Sequence, residues 1–210
     1  LETAAPYGDI SQVVRNAADQ MANSGATLVE IRIDGLADLL SNSGVIDYEF
    51  TTDVARYLER SDAPVKSVEE LLASGQYHEA LEARYQRSVE RASHTREYEK
   101  RLARRDVIKR LLIDTFDAHD LDALVYPTLR IKPVPVGEPQ TGSMCRVAAH
   151  SGLPAISLPA GFTDDGIPVG IELLARPGAD GQLVALGFAW EQAARPRQPP
   201  PKTPSLVSSD

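Results

Sequence analysis

Residues 151–178 read SGLPAISLPAGFTDDGIPVGIELLARPG. Pro154 biases Leu153 toward an extended backbone. The run AISLP then reads as a strand of small residues suited to a crowded interior, bounded by Pro159 and Gly161. Asp165–Gly166 is a strong turn signal, and IPVGIELLA (167–175) reads as a second strand. The two strands form a hairpin. Pro168 belongs at a strand start or a sheet edge, because it has no N–H to give to a ladder. Ser157 lies between apolar neighbours with no base beside it, and reads as a small packing residue of the strand.

Outward from this hairpin, LDALVYPT (121–128) is a short buried strand ending at Pro127. Prolines and the glycines at 137 and 142 make 129–143 a long loop, a kind of segment that often carries function. MCRVAAHSG (144–152) reads as a helix ending at Gly152. Downstream, Arg176–Pro177–Gly178 leads to a last helix, capped by Asp180, with Leu183, Leu186, Phe188 and Trp190 as its apolar surface. Residues 197–210 form a Pro/Ser-rich extended tail.

At the other end, Asp9 and Gln12 make a helix start, and Ile10, Val13, Val14, Ala17, Ala18 and Met21 fall on one face. Gly25 stops that helix. TLVEIRI (27–33) alternates Val29, Ile31 and Ile33 and reads as a strand. Asp34 is placed to cap a short helix through Leu40. A further helix includes VARYLER, and Ser67 with Glu70 forms a capping box closed by Gly75. Residues 78–119 are helical with a division near 93–95, and His119 sits at the helix end. The basic run RLARRDVIKR (101–110) is interleaved with acids and reads as a solvated face. Helix–strand alternation of this kind is the grammar of an α/β fold.

The chain has 210 residues and a formal net charge of −8, which speaks against a nucleic-acid partner. Its single cysteine, Cys145, reads as a small buried residue and rules out an internal disulfide. No stretch approaches the roughly 20 apolar residues of a membrane span, and the first residues lack a signal-peptide pattern. The reading is a soluble chain, cytoplasmic or exported, with no membrane partner. His78, His94, His119 and His150 have no metal-ligand spacing. There is no phosphate-binding glycine loop and no GxSxG elbow. Ser151, adjacent to His150, has poor geometry for a dyad. The residues alone supply no catalytic residue, no metal site and no cofactor site.

Three stretches together carry a resemblance: LDALVYPT, the hairpin segment with its preceding HSG, and the helix ending FAWEQAARPRQ. With YEFTTDVARYLERSDAPVKSVEELL, they resemble the C-terminal portion of an amidase signature enzyme, on the peptide-amidase-like branch. Ala149, where many members carry asparagine, fits that branch. The resemblance implies a mixed β-sheet flanked by helices, one domain over residues 1–196, completed by an upstream segment or second chain. It also implies a carboxamide-cleaving serine enzyme working through an acyl-enzyme without a cofactor. In that family a serine, a second serine in a cis peptide and a lysine perform the chemistry within a Gly/Ser-rich core. No such core occurs here, so the partner expected is a second chain carrying it, or the upstream part of a cleaved precursor. The implied role of this half is to wall the pocket for a small amide or peptide amide. Tyr126, Thr128, Thr141, Ser143, Cys145 and His150 are the candidate substrate-binding residues. The alternatives are an esterase, aryl acylamidase or amidotransferase-type activity, a non-catalytic fragment, or a partner-binding surface on 78–110.

Overall fold

The computed structural model describes residues 8–60 and 62–199. Most of the expected tail, from residue 200 onward, therefore lies outside the described residues. The chain, read as one domain through residue 196, divides into two compact units: residues 34–111, and the remainder.

The larger unit is built on three strands, β1 (Leu124–Pro127), β2 (Ala155–Phe162) and β3 (Pro168–Leu174), in the order β1-β3-β2. Both ladders are antiparallel, so among the described residues the sheet contains no parallel pair. The expected hairpin is present. Its turn is held by the Thr163 hydroxyl, which donates to Asp165 at 2.6 Å and accepts from the Ile167 N–H at 3.0 Å. Side chains alternate between faces along each strand. One face of the sheet carries Ile156, Leu158, Ala160, Val169, Ile171 and Leu173, and these form the core with two helices.

The first helix is α1 (Gly8–Asn23), which buries Ile10, Val13, Val14, Ala17 and Ala18 as its periodicity requires. Asp9 lies in its first turn rather than at the cap. Gly25, at φ +102°, allows the reversal that ends the helix. Its N–H donates to Ala22 O and that of Ala26 to Met21 O, each at 3.0 Å, closing the orphan carbonyls. The second is α8 (Asp180–Ala194), whose Leu183 and Trp190 enter the core. Trp190 Nε1 donates to Pro159 O at 2.8 Å, tying α8 to β2. Phe188, expected in the apolar surface, is 63% exposed. It lies off the stripe 183, 186, 187, 190, which the 3.6-residue period turns toward the sheet. Asp180 makes no side-chain cap; Ala179 occupies that position.

Residues 27–33 form no strand. An alternating apolar pattern becomes a strand only where a neighbour takes up its ladder, and the sheet here consists of β1, β3 and β2. Leu28 and Val29 are instead 43% and 46% exposed.

The smaller unit contains α2 (Leu36–Ser41), α3 (Ile46–Leu58), α4 (Val68–Ser74), a 3-10 turn (Glu79–Leu81) and α5 (Glu82–Arg91). The N-terminal part of α6 (Thr95–His119) belongs to it through Leu111. The short helix after Asp34 starts one residue later than expected, with Gly35 at its cap. Ser67 accepts from the Glu70 N–H at 3.1 Å. The Glu70 carboxylate accepts from Lys66 N–H at 2.7 Å, one residue before the cap itself.

Several arginines of this unit have defined partners. Arg87 and Arg91 both reach Asp47. Arg101, Arg104 and Arg105 donate to the backbone carbonyls of Gly44, Asn42 and Ser43. These carbonyls follow the C-terminus of α2, where cationic donors are favoured. The reading of 101–110 as a free solvated face is corrected on this point, because those guanidinium groups satisfy backbone acceptors.

Replacing Ile171, fully buried in the middle strand, by alanine is expected to cost about 2–5 kcal/mol. Phe188→Ala should change stability by less than about 0.5 kcal/mol. Denaturant unfolding of both variants checks the assignment of the core face.

Candidate functional site

The second face of the same sheet carries a polar row next to the apolar pair Leu124 and Leu174. The register places Tyr126 of β1 opposite Glu172 of β3, and Glu172 opposite Ser157 of β2. These three side chains therefore stand in a row on one face. The Tyr126 hydroxyl donates to Glu172 Oε1 at 2.5 Å, and both residues are buried. Glu172 escaped the sequence reading. The available signal was a lone charge inside an otherwise apolar strand, IPVGIELLA.

Thr128 follows β1 on the same face. Its N–H donates to Gly170 O at 2.9 Å and its carbonyl accepts from Met144 N–H at 3.1 Å. Its hydroxyl lies 3.4 Å from that of Ser157. Gly170 makes this approach possible: a Cβ there would stand 2.9 Å from Thr128 Oγ1. Ser157, read from the sequence as a packing residue, is exposed. It sits on an edge strand.

Thr128 and Ser157 line a cleft of about 440 Å³. Its walls are mainly apolar, from Ile10, Ile131, Leu158 and Phe162 among others, and Lys132 and Arg197 also reach it. Of the other residues expected to bind substrate, Tyr126 is buried within the polar row and is not part of the cleft lining, and Thr141 and Ser143 are exposed on the loop. That loop closes at its base, where Leu129 bridges to Ser143 and Arg130 N–H donates to Gly142 O at 2.9 Å. His150 is buried within α7 (Arg146–Ser151) and is not part of the cleft lining. Cys145 is exposed, contrary to the expectation of a buried thiol. It precedes α7, whose buried positions are Val147, His150 and Ser151.

Lys132 anchors the cleft rim. Its Nζ lies 2.6 Å from Asp9 of α1 and 2.8 Å from Asp165 of the hairpin turn. The hydrogen bonds from Lys132 and then Thr163 hold the Asp165 carboxyl below its ordinary range, and those to Asp165 and then Asp9 raise the Lys132 ammonium. Burial, then the bond to Glu172, pushes the Tyr126 phenol well above its usual value.

Among the described residues no cluster of His, Cys, Asp and Glu is suited to a metal ion, and no helix is long and apolar enough to cross a membrane.

A family model for amidases matches residues 2–184. The chain belongs to the amidase family. The chain is 30% identical over 210 aligned residues to an indoleacetamide hydrolase from Agrobacterium vitis, covering 89% of this chain and 44% of that protein. It is 29% identical over 208 residues to a glutamyl-tRNA(Gln) amidotransferase subunit from Prochlorococcus marinus, covering 88% of this chain and 42% of the relative. Among solved structures it resembles the native peptide amidase from Stenotrophomonas maltophilia, with a TM-score of 0.71 and 27% identity over 90% of this chain and 40% of that one. The chain thus spans less than half the length of the relatives it matches. The α/β fold and the amidase signature expected from the sequence are both met.

Two outcomes test this geometry. The Tyr126 phenol should stay protonated through about pH 10, where an ordinary tyrosine ionises. Because the folded form holds that proton more tightly than the unfolded chain, the stabilisation is complete below about pH 10 and is lost as pH rises further. Absorbance titration should show a delayed phenol step that Tyr126→Phe abolishes, with a stability cost of about 1–3 kcal/mol from the undonated carboxylate.

For the rim, the Asp165 contribution is present above about pH 4 and disappears as pH falls through its lowered value. The Lys132 contribution is present below about pH 10 and disappears as pH rises through its raised one. In Lys132→Ala the Asp165 carboxyl should titrate at a higher pH by NMR.

Proposed function

We propose that this chain is the C-terminal part of a serine amidohydrolase that cleaves carboxamide bonds, and that its cleft walls the substrate pocket. The observation that carries the reading is the amidase match over residues 2–184. The polar row beside an apolar cleft supports it. Apolar walls suit the carbon part of an amide, and two hydroxyls 3.4 Å apart suit its carbonyl and N–H, since each hydroxyl can donate and accept.

The chemistry falls to a partner chain or upstream segment with the Gly/Ser-rich core, which supplies the serine, the cis-peptide serine and the lysine. The serine oxygen attacks the carboxamide carbon, with its proton passing to the base system. The C–N bond breaks, and ammonia or an amine leaves carrying a proton. Water then adds to the acyl-serine ester, releases the carboxylic acid and restores the serine. Backbone N–H groups near the nucleophile stabilise the oxyanion. The open edge of β2 is where the partner core completes the sheet. Its hydrogen-bonding groups at Ala155 and Ser157 point away from β3, because the alternation set by Pro154 O accepting from Ala175 N–H turns those of Ile156 and Leu158 inward.

The match to a protein of the amidotransferase class supports a second reading, in which the released ammonia is passed to an acceptor. The engaged arginines of the smaller unit weaken the view of 78–110 as a nucleic-acid surface.

The assembled enzyme should release ammonia from peptide amides or arylacetamides, or amine from anilides. Thr128→Ala should lower kcat/KM by about tenfold, the value of one hydrogen bond of about 1.4 kcal/mol. No amide turnover by the assembled protein would overturn the proposal.

A further inference from the structure

Gly170 stands inside the middle strand, where a glycine weakens a sheet. Its backbone gives no reason for the residue. It is not among the glycines of positive φ, so an L side chain would suit its conformation. The nearby irregularity lies on β2, where Ala160 is the extra residue between the pairs Pro159–Gly170 and Gly161–Val169. What a Cβ at 170 would meet is Thr128, with Oγ1 at 2.9 Å and Cβ at 3.3 Å, while Leu158 O stands at an ordinary 3.6 Å. The glycine therefore makes room for one side chain, and that side chain lines the cleft.

Thr128 cannot retreat from an added methyl group. Its N–H donates to Gly170 O at 2.9 Å and its carbonyl accepts from Met144 N–H at 3.1 Å, so its backbone is held on both sides. Only χ1 is left to change. Of the three groups on the threonine Cβ, the hydroxyl now faces position 170, and the methyl would clash there as badly. The staggered position that clears an alanine turns the hydrogen toward it and swings the hydroxyl away by about 120°. Thr128 and β2 also flank β3 from opposite sides. Two segments that share a neighbour in this way lie about 9.6 Å apart, twice the strand spacing. The short side chains of Thr128 and Ser157 meet at 3.4 Å because the strand between them is bare at 170.

We propose that Gly170 is a positioning residue of the amide site, acting through Thr128 to fix the hydroxyl pair that receives the carboxamide, at a cost to the strand that carries it. Thr128, Ser157 and Gly170 all line the cleft, and Ser157 is exposed, so a ligand in the cleft reaches the hydroxyls directly. The proposal rests on the amidase reading for the chemical class of that ligand.

The test uses the assembled protein with phenylacetamide as the probe, as wild type, Gly170→Ala, Thr128→Ala and the double variant. Each single change should lower kcat/KM about tenfold, mainly through KM, as the loss of one ground-state hydrogen bond does. The double variant should lose no more than either single one, because the glycine has no role once the hydroxyl is gone. Its melting temperature should be no lower than that of Thr128→Ala, since alanine suits a strand interior better than glycine. A wild-type KM in Gly170→Ala, or losses that multiply to about a hundredfold in the double variant, overturn the proposal. So does a fall in melting temperature in Gly170→Ala that Thr128→Ala fails to reverse, which would make the glycine a packing residue. If the assembled protein binds phenylacetamide by calorimetry without hydrolysing it, the proposed activity is refuted, and the same comparison of variants read in Kd decides this inference. Absence of binding overturns both.

Discussion

Strand β3 is hydrogen-bonded on both edges and buried on both faces, and the larger unit depends on that double constraint. Its ladders to β1 and β2 set which residues of all three strands share a face. A slip of one residue would exchange the faces. Ile171 and Leu173 would leave the core, and Glu172 would enter it. The apolar contacts with α1 and α8 therefore fix the polar row as firmly as they fix the core.

From this frame the site follows by small steps. A glycine at 170 lets a threonine hydroxyl lie across the strand toward Ser157. A tyrosine on β1 supplies the donor for a carboxylate on β3. The rim is held separately, by one lysine between two carboxylates from α1 and the hairpin turn. The surface ion pairs of Lys132 contribute little to stability where solvent screens them. Their consequence is positional, because they join a loop otherwise built from prolines and glycines to two regular elements.

Elsewhere the same accounting explains what differs from a reading by pattern. The basic segment 101–110 is charged, yet several of its guanidinium groups cover the carbonyls that follow α2. Residues 27–33 carry a strand's alternation and yet form no strand. For those arginines the decisive partner lies far along the chain.

Local chemistry alone was sufficient for α1 with its glycine stop, the Ser67 cap, the division of the long helical region, β1 and the hairpin. Each depends on side-chain periodicity or on turn residues within a few positions. The specificity of the hairpin segment also made the family legible. Cross-strand register, burial and coverage belong to the tertiary structure alone. Thr128 was a pocket candidate through the family resemblance, and it lines the cleft. Ser157 looked like packing, and Glu172 did not stand out at all. What brings them together is that β3 sets Glu172 between Tyr126 and Ser157, partners 46 and 15 positions away along the sequence. No local pattern encodes that spacing, because long-range pairing is chosen by the burial of the opposite face.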